Sequence, residues 1–382
     1  MKKNFLLILS FFTMTLQSQN KIKSSLSEIF NGTTWDKSSG MDFEYDGNNN
    51  LITEIQYNWE ISGWGKSSET TYTYNTANKA TEMLFKTWDG SQFINNFRNI
   101  NTYSAGGLII QTLYQEWNLT QWKDVEKTDL TYNGSLPSVG ISYKWNGSQW
   151  INDYRSTITY SESLPQQSLN ERWNGTQWNI ESRDVLTYNV SNKIIANVNE
   201  TWNGAVWTEN YRTNYQLDAN INRLNQTEIY QGVIQSKTEY NFDFTVPLSN
   251  FAHPFRDKTG LDYFFEGMPY FNKILSANFN LYDSATSTYE ALSRTTYNYD
   301  SSLSSSDESK IRGIKLYPNP SADFIKISGM QKHEKIIIYS ILGAKVFEKI
   351  IAPDTKINIQ PLESGSYILR LENGQSLKFL KK

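Results

Sequence analysis

Two histidines and no cysteine limit what this 382-residue chain can do by way of chemistry. His333 falls in a C-terminal segment of different character, so His253 stands alone for the rest. One imidazole makes no multi-histidine metal site, and no nucleophile elbow accompanies it to build a Ser-His-Asp triad. Phosphate-loop and dinucleotide glycine patterns are absent. Acidic residues are plentiful, and a glycoside-hydrolase pair would be drawn from residues such as Asp153, Glu181, Asp184 and Glu209. These look like solvated strand residues at non-equivalent positions of different repeats. Asp46-Gly47-Asn48-Asn49-Asn50 is the nearest approach to a calcium loop and reads more simply as a turn. The expectation is a protein without catalytic residues, metal or cofactor.

The regularly spaced residues are aromatic. Trp145/Trp150 recurs as Trp173/Trp178, Trp202/Trp207, Trp117/Trp122 and Trp59/Trp64, and more loosely as Trp88/Phe93 and Phe30/Trp35, always five apart with a period of 28 or 29 residues. A row of aromatic side chains along a sheet suits stacking on sugar rings, so Trp117, Trp122, Trp145, Trp150, Trp173, Trp178, Trp202 and Trp207 are candidate ligand-binding residues. The same face continues into an aliphatic column, Leu26, Ile55, Leu84, Leu113, Ile141, Leu169 and Val198, four residues before each first aromatic. A buried core is therefore the simpler reading of these tryptophans. Parity puts Tyr72, Leu130, Ile158, Leu186 and Tyr215 on the tryptophan face. It puts Arg98, Lys127, Arg155, Arg183 and Arg212, with the threonines that follow, on the opposite one. That second face reads as cross-strand ladders on a wet surface, with an anionic ligand as the alternative.

Elements that hold such columns in line must be long antiparallel strands. Asn31-Gly32, Asn146-Gly147, Asn174-Gly175 and Asn203-Gly204 supply the strongest short hairpin signal, with both central residues of a type I′ turn at φ > 0. A four-residue loop would instead pair the tryptophans directly. Each repeat reads as one hairpin, and a lone hairpin is not stable without its neighbours. About fourteen or more strands must curl, split or close to hide an apolar side. The predicted fold is all-β, a curved antiparallel sheet of 28–29-residue β-hairpin repeats. Tyr45-Asp46-Gly47 and Tyr74-Asn75-Thr76 close successive strands, and in this the array resembles the tyrosine-aspartate repeats of Rhs-type proteins and repeat-rich Bacteroidetes surface proteins.

Residues 1–18 read as a signal peptide: Lys2 and Lys3, an apolar run from Phe5 to Leu16, and a cleavage point just before Gln19. That apolar run is too short for a membrane anchor. Cleavage takes the formal charge from −3 to −5, and no basic stripe marks a nucleic-acid partner. The repeat domain spans 24–300, with an irregular Pro/Phe-rich insertion over 233–270 and a degenerate last repeat at Tyr289, Arg294 and Tyr299. A Ser-rich linker covers 301–310. Residues 311–382 change character to short aliphatic strands without tryptophan, predicting a small β-sandwich. The LYPNP start, IYSILGAKVFE, LESGSYILRL and the final LKFLKK resemble the C-terminal type A sorting domain of the Bacteroidetes type IX secretion system. On that resemblance Tyr317, Pro318, Asn319, Pro320, Gly343, Gly365 and Tyr367 are the sorting-motif residues, and the type IX machinery is the implied partner. The implied destination is the medium or the outer cell surface. The sequence reading is a binding or adhesion module with an extracellular glycan favoured over a surface protein. The alternatives are a purely structural surface protein and, least favoured, a glycan-active hydrolase.

Overall fold

The computed structural model describes residues 20–60, 63–255, 270–299, 302–303, 315–328, 330, 333–340, 345–353, 355–371 and 376–382. The expected signal peptide, Gly343, most of the 301–310 linker and part of the expected insertion lie outside them.

A short β1 (Asn20–Lys21) precedes the repeats. Strands β2 (Ser24–Phe30), β3 (Trp35–Tyr45), β4 (Leu51–Glu60), β5 (Gly63–Tyr74), β6 (Ala80–Trp88), β7 (Phe93–Tyr103), β8 (Ile109–Trp117) and β9 (Trp122–Asn133) form the first part of the meander. It continues through β10 (Leu136–Trp145), β11 (Trp150–Ser161), β12 (Leu164–Trp173), β13 (Trp178–Tyr188), β14 (Ile194–Trp202), β15 (Trp207–Leu217), β16 (Arg223–Tyr230) and β17 (Val233–Pro247). After the short β18 (Phe251–Ala252), β19 (Asn272–Asp283) and β20 (Thr288–Asn298) complete it. Each of these long strands pairs antiparallel with the next, and β20 pairs back onto β2, with Glu28 opposite Arg294 and Ser27 opposite Thr295. The sheet is therefore an 18-stranded closed barrel rather than an open curved sheet. Closure leaves no long strand as a free edge, which an open sheet of this size would have to shield.

Three expectations change at the level of register. The aromatic pairs sit directly opposite one another, Trp145 on Trp150 and Trp173 on Trp178, so the loop has four residues rather than two. Asn146 does not take positive φ. Its Oδ1 accepts the N–H groups of Ser148 and Gln149 at 2.9 Å each, and Gly147 alone turns left-handed at φ +97°. Next, the third residue after each second aromatic is an extra, bulged residue: Ser38, Ser67, Asn96, Val125, Asp153, Glu181, Asn210 and Leu292. A bulge inverts the inside-outside alternation beyond it. Arg155 therefore lies opposite Ile141 on the tryptophan face, and Ile158, expected there, lies on the other. Finally, the first part of the expected irregular insertion is regular: Val233–Pro247 is the 15-residue β17, which slips register between Asp243 and Pro247 before the 3-10 turn Leu248–Asn250.

The face opposite the tryptophans is the concave one. Phe43, Tyr72, Phe242 and Ile274, from strands on both flanks of the β2–β20 seam, meet in one apolar cluster with Ile22 and Leu248. Side chains from so wide an arc meet only inside the ring. The parallel pair β1/β18 and the 3-10 turn Leu248–Asn250 bring Ile22 and Leu248 into this plug, where both are fully buried. At that end of the barrel the repeat tyrosines form rungs. The hydroxyls of Tyr45, Tyr74, Tyr103, Tyr132 and Tyr160 each donate to a backbone carbonyl 23 residues earlier, at 2.7–2.9 Å.

The C-terminal segment forms two small antiparallel sheets. One holds β21 (Lys315–Tyr317), β22 (Phe324–Ser328) and β25 (Ile357–Asn358). The other holds β23 (Glu334–Ser340), β24 (Lys345–Ile351), β26 (Gly365–Leu371) and β27 (Ser376–Lys381). Both feed one core that includes Ile325, Ile327, Ile336, Ile338, Leu369 and Phe379, each at most 1% exposed.

Candidate functional site

The tryptophan candidates line the convex wall at the hairpin tips. Each pair packs at about 5 Å between ring centroids, tilted or edge-on: 5.1 Å for Trp117–Trp122, Trp145–Trp150 and Trp173–Trp178, and 5.0 Å for Trp202–Trp207. All eight are half-buried, neither a sealed core nor an open platform.

What covers them is the basic row that the bulge brings to their side. The Arg155 guanidinium lies 5.0 Å over the Trp178 ring and Arg183 4.4 Å over Trp207; Arg98 sits 4.5 Å over Trp122 and Lys127 5.5 Å over Trp150. Each cation thus caps the second aromatic of the following repeat. Arg155 is also held by Glu171 through 2.6 and 2.7 Å bonds, and that contact keeps its guanidinium protonated above the usual value. Its neighbour Arg183 donates to Glu200 at 2.5 Å.

Two repeats lack a basic residue five places after the second aromatic, carrying Gly40 and Glu69 instead. There a lysine two places after it substitutes, Lys37 at 4.1 Å over Trp59 and Lys66 at 5.0 Å over Trp88. Arg294 lies 4.6 Å over Trp35 and carries the ladder across the β20–β2 seam. One place departs from the pattern: after Arg212 the next hairpin turns on Tyr230 and Val233, and Arg212 forks back onto Glu209 at 2.6 and 3.1 Å. Gly40 serves a different contact. A side chain there would collide with Leu303, whose N–H donates to Asp42 Oδ1 at 2.5 Å and which ties the start of the linker to the barrel wall.

The carboxylate candidates are all engaged. Asp153 accepts from Arg172 at 3.0 Å and pairs with Lys144 at 3.1 Å, and Glu181 faces the same Arg172 at 3.4 Å. Contrary to the sequence reading, Asp153 and Glu181 occupy equivalent seats, both being bulge residues. Glu209 is held by Arg212, which keeps its carboxyl below the ordinary carboxylate range. Asp46 accepts from the backbone N–H of Asn48 and Asn50, and so caps a turn as expected. No cluster of metal-ligating side chains occurs among the described residues.

Sequence reasoning missed the lumen wall, because it had assigned that face wrongly. Strands β8 to β13 form a hollow of about 380 Å³ there, with Thr112, Thr128, Ser142, Ser156, Ser168 and Asn170 among its lining. Leu130 and Ile158 supply its apolar part. A polar relay crosses the strands: Thr128 to Ser142 at 2.7 Å, Ser156 to Asn170 at 2.8 Å, and Asn170 to Asp184 at 2.9 Å. Asn199 donates to the other Asp184 oxygen at 2.9 Å. Burial, with the Glu181 and Asp184 carboxylates close by, raises the Tyr154 hydroxyl above its ordinary value, while the Arg172 guanidinium lies 5.0 Å over its ring.

In the C-terminal segment the sorting residues draw the two ends together. Asn319 Oδ1 accepts the Leu380 N–H at 2.9 Å, Tyr317 pairs with Lys326, and Tyr367 stacks on Phe379 at 5.5 Å. Pro318 and Pro320 each follow a cis peptide bond, and Gly365 opens β26.

Residues 315–382 match the family model described as the secretion system C-terminal sorting domain. The chain is accordingly cargo of the type IX secretion system, exported to the outer surface or secreted. A comparison with curated proteins returns no match. Among solved structures, a porin-like protein from Bacteroides uniformis is 10% identical with a TM-score of 0.37, over 73% of this chain and 96% of that one. A protein of unknown function from Bacteroides fragilis is 18% identical with a TM-score of 0.27, over 32% of this chain and 90% of the other. The Tc holotoxin pore of Photorhabdus luminescens is 11% identical with a TM-score of 0.33; the match covers 93% of this chain but 16% of the toxin chain.

Proposed function

We propose that the barrel is a non-enzymatic binding module, carried outside the cell by its sorting domain, with an extracellular glycan as its partner class. The observation that carries this reading is the lumen wall, lined by serine, threonine and asparagine side chains in a hollow large enough for a small molecule. The convex wall supports a water-facing barrel. It bears ion pairs such as Arg155–Glu171, Arg183–Glu200 and Lys86–Glu69 near mid-strand, where a membrane barrel presents an apolar band. The absence of catalysis is part of the proposal. It rests on the carboxylate candidates, each of which already accepts from arginine, lysine or amide donors.

A second reading is that of a structural surface protein, and the cation-aromatic ladder favours it. Ring faces already covered by guanidinium or ammonium groups are poor platforms for sugars, so the tryptophans serve the framework first. A glycan array probed with the signal-free chain separates the two readings. Saturable binding to a defined glycan supports the binding module, and binding to none supports the structural protein. Release of reducing sugar from a bound glycan would revive the hydrolase.

A further inference from the structure

The internal repeats act as their own control for the lumen hollow. Two lumen-facing columns run around the barrel, five and three residues before each first aromatic. On β6 they carry Met83 and Phe85, and Phe85 stacks on Phe97 at 4.8 Å. On β10 the same seats hold Gly140 and Ser142, and on β12 they hold Ser168 and Asn170. The architecture accepts large side chains at these seats and carries small ones at both on β10 and β12; β2, with Ser25 and Ser27, does so too but lies outside the hollow. Small side chains at these seats leave the space that Met83 and Phe85 would fill.

Its chemistry is specific. Asp184 spends one contact per oxygen on the Asn170 and Asn199 amides, and a carboxylate has about four lone-pair sites in all. The free sites suit paired hydroxyl donors. The hydroxyls of Ser142 and Ser156 border the same space, and Leu130 with Ile158 offers a patch for the apolar face of a sugar ring. A volume of about 380 Å³ lies at the small end of the ~300–1,000 Å³ range of ligand sites.

We infer that the β8–β13 lumen hollow binds a neutral, hydroxyl-rich ligand of one or two sugar rings, with the Asp184 carboxylate accepting from its hydroxyls. This rests on the binding-module reading, but places the site inside the barrel and away from the tryptophans. The test is calorimetric titration of the signal-free chain with neutral monosaccharides and disaccharides, a simple amine and a long neutral polysaccharide. Two variants borrow side chains that the fold already carries at the equivalent seats. Gly140→Met with Ser142→Phe fills the hollow as Met83 and Phe85 do on β6, and Asp184→Asn copies Asn99. A neutral sugar bound by the wild type, weakened at least tenfold by filling and severalfold by Asp184→Asn, with melting unchanged, is the expected result. Trp145→Ala/Trp150→Ala leaves that binding in place. Equal sugar binding by the filled and wild-type chains overturns the inference, as does a wild type that takes the amine alone. Polysaccharide binding that only the tryptophan variant loses also overturns it, and leaves the binding-module reading standing. A wild type that binds nothing in the panel or on the array sinks both.

Discussion

Replacing Arg294 by Ala at the seam would show whether the ladder holds the barrel shut. Arg294 donates to Glu28 at 2.6 Å and lies 4.6 Å over Trp35, joining strands more than 260 residues apart in the chain. A half-exposed cation-aromatic contact contributes about 0.5–1 kcal/mol. An ion pair of this exposure adds about 0.2–1 kcal/mol. Truncation also strands the Glu28 carboxylate, whose side chain is only 13% exposed, so the loss falls at the upper end, about 1–2 kcal/mol. At 1.4 kcal/mol per tenfold, amides of β2 and β20 that exchange by local opening should exchange about five- to thirty-fold faster. Arg155→Ala, which removes the same kind of contacts to Glu171 and Trp178, serves as the control. Its neighbours β10 and β12 directly precede and follow β11 in the chain, so its effect stays local to those strands. Hydrogen exchange by mass spectrometry reads both. Unchanged exchange at the seam in Arg294→Ala, or the same seam exchange in the two variants, refutes the idea that the ladder locks the ring.

Two turn seats hold the wrong residue for their backbone. Leu119 sits at φ +78° where five other tips have Gly32, Gly90, Gly147, Gly175 and Gly204, and Ile221 at φ +71° where Asn49, Asn78 and Asn192 sit. Leu119→Gly and Ile221→Asn should each stabilise by about 0.5–1 kcal/mol, read as a higher urea midpoint with unchanged slope. Tyr72→Phe removes the buried hydroxyl that donates to Glu54 at 2.5 Å and should cost about 1–3 kcal/mol by the same assay. Burial raises Tyr297 to about 12 from its ordinary 10.0, and Tyr45, Tyr270 and Tyr299 shift the same way. A raised folded value means that the native state holds its proton longer. That stability is whole below about pH 10 and is lost as pH rises toward about 12. An alkaline melt should therefore unfold the barrel in that window, with tyrosinate absorbance appearing together with the loss of β signal; tyrosinate forming well before unfolding would contradict it.

The strand pattern was legible because the spacing of five between aromatics and the period of 28–29 recur without gaps. The faces were legible only as far as the bulge. Nothing about Asp153 or Glu181 announces an extra residue, and one bulge exchanges every assignment beyond it. That is why Arg155 was placed opposite the tryptophan it caps, and why the lumen hollow went unseen. The exchange of Lys37 and Lys66 for the later arginines, each over a tryptophan ring, is the one mark of the ladder in the sequence. Closure was not legible, because the pairing of β2 with β20 leaves no periodic mark in either strand. The β17 strand was missed because aromatics and prolines near its end resemble a loop.

The closing of the ring has a consequence in time. Every other strand of the barrel meets a partner that directly follows or precedes it in the meander, whereas β2 lacks its second partner until β20 exists. For nearly the whole of synthesis and export, one side of β2 is an open template for any extended chain, including another copy of itself. Seam formation is a long loop closure and therefore the slow, committing event of folding. Crowded nascent copies would be prone to exchange their last hairpins, and the same ring could then assemble from two chains.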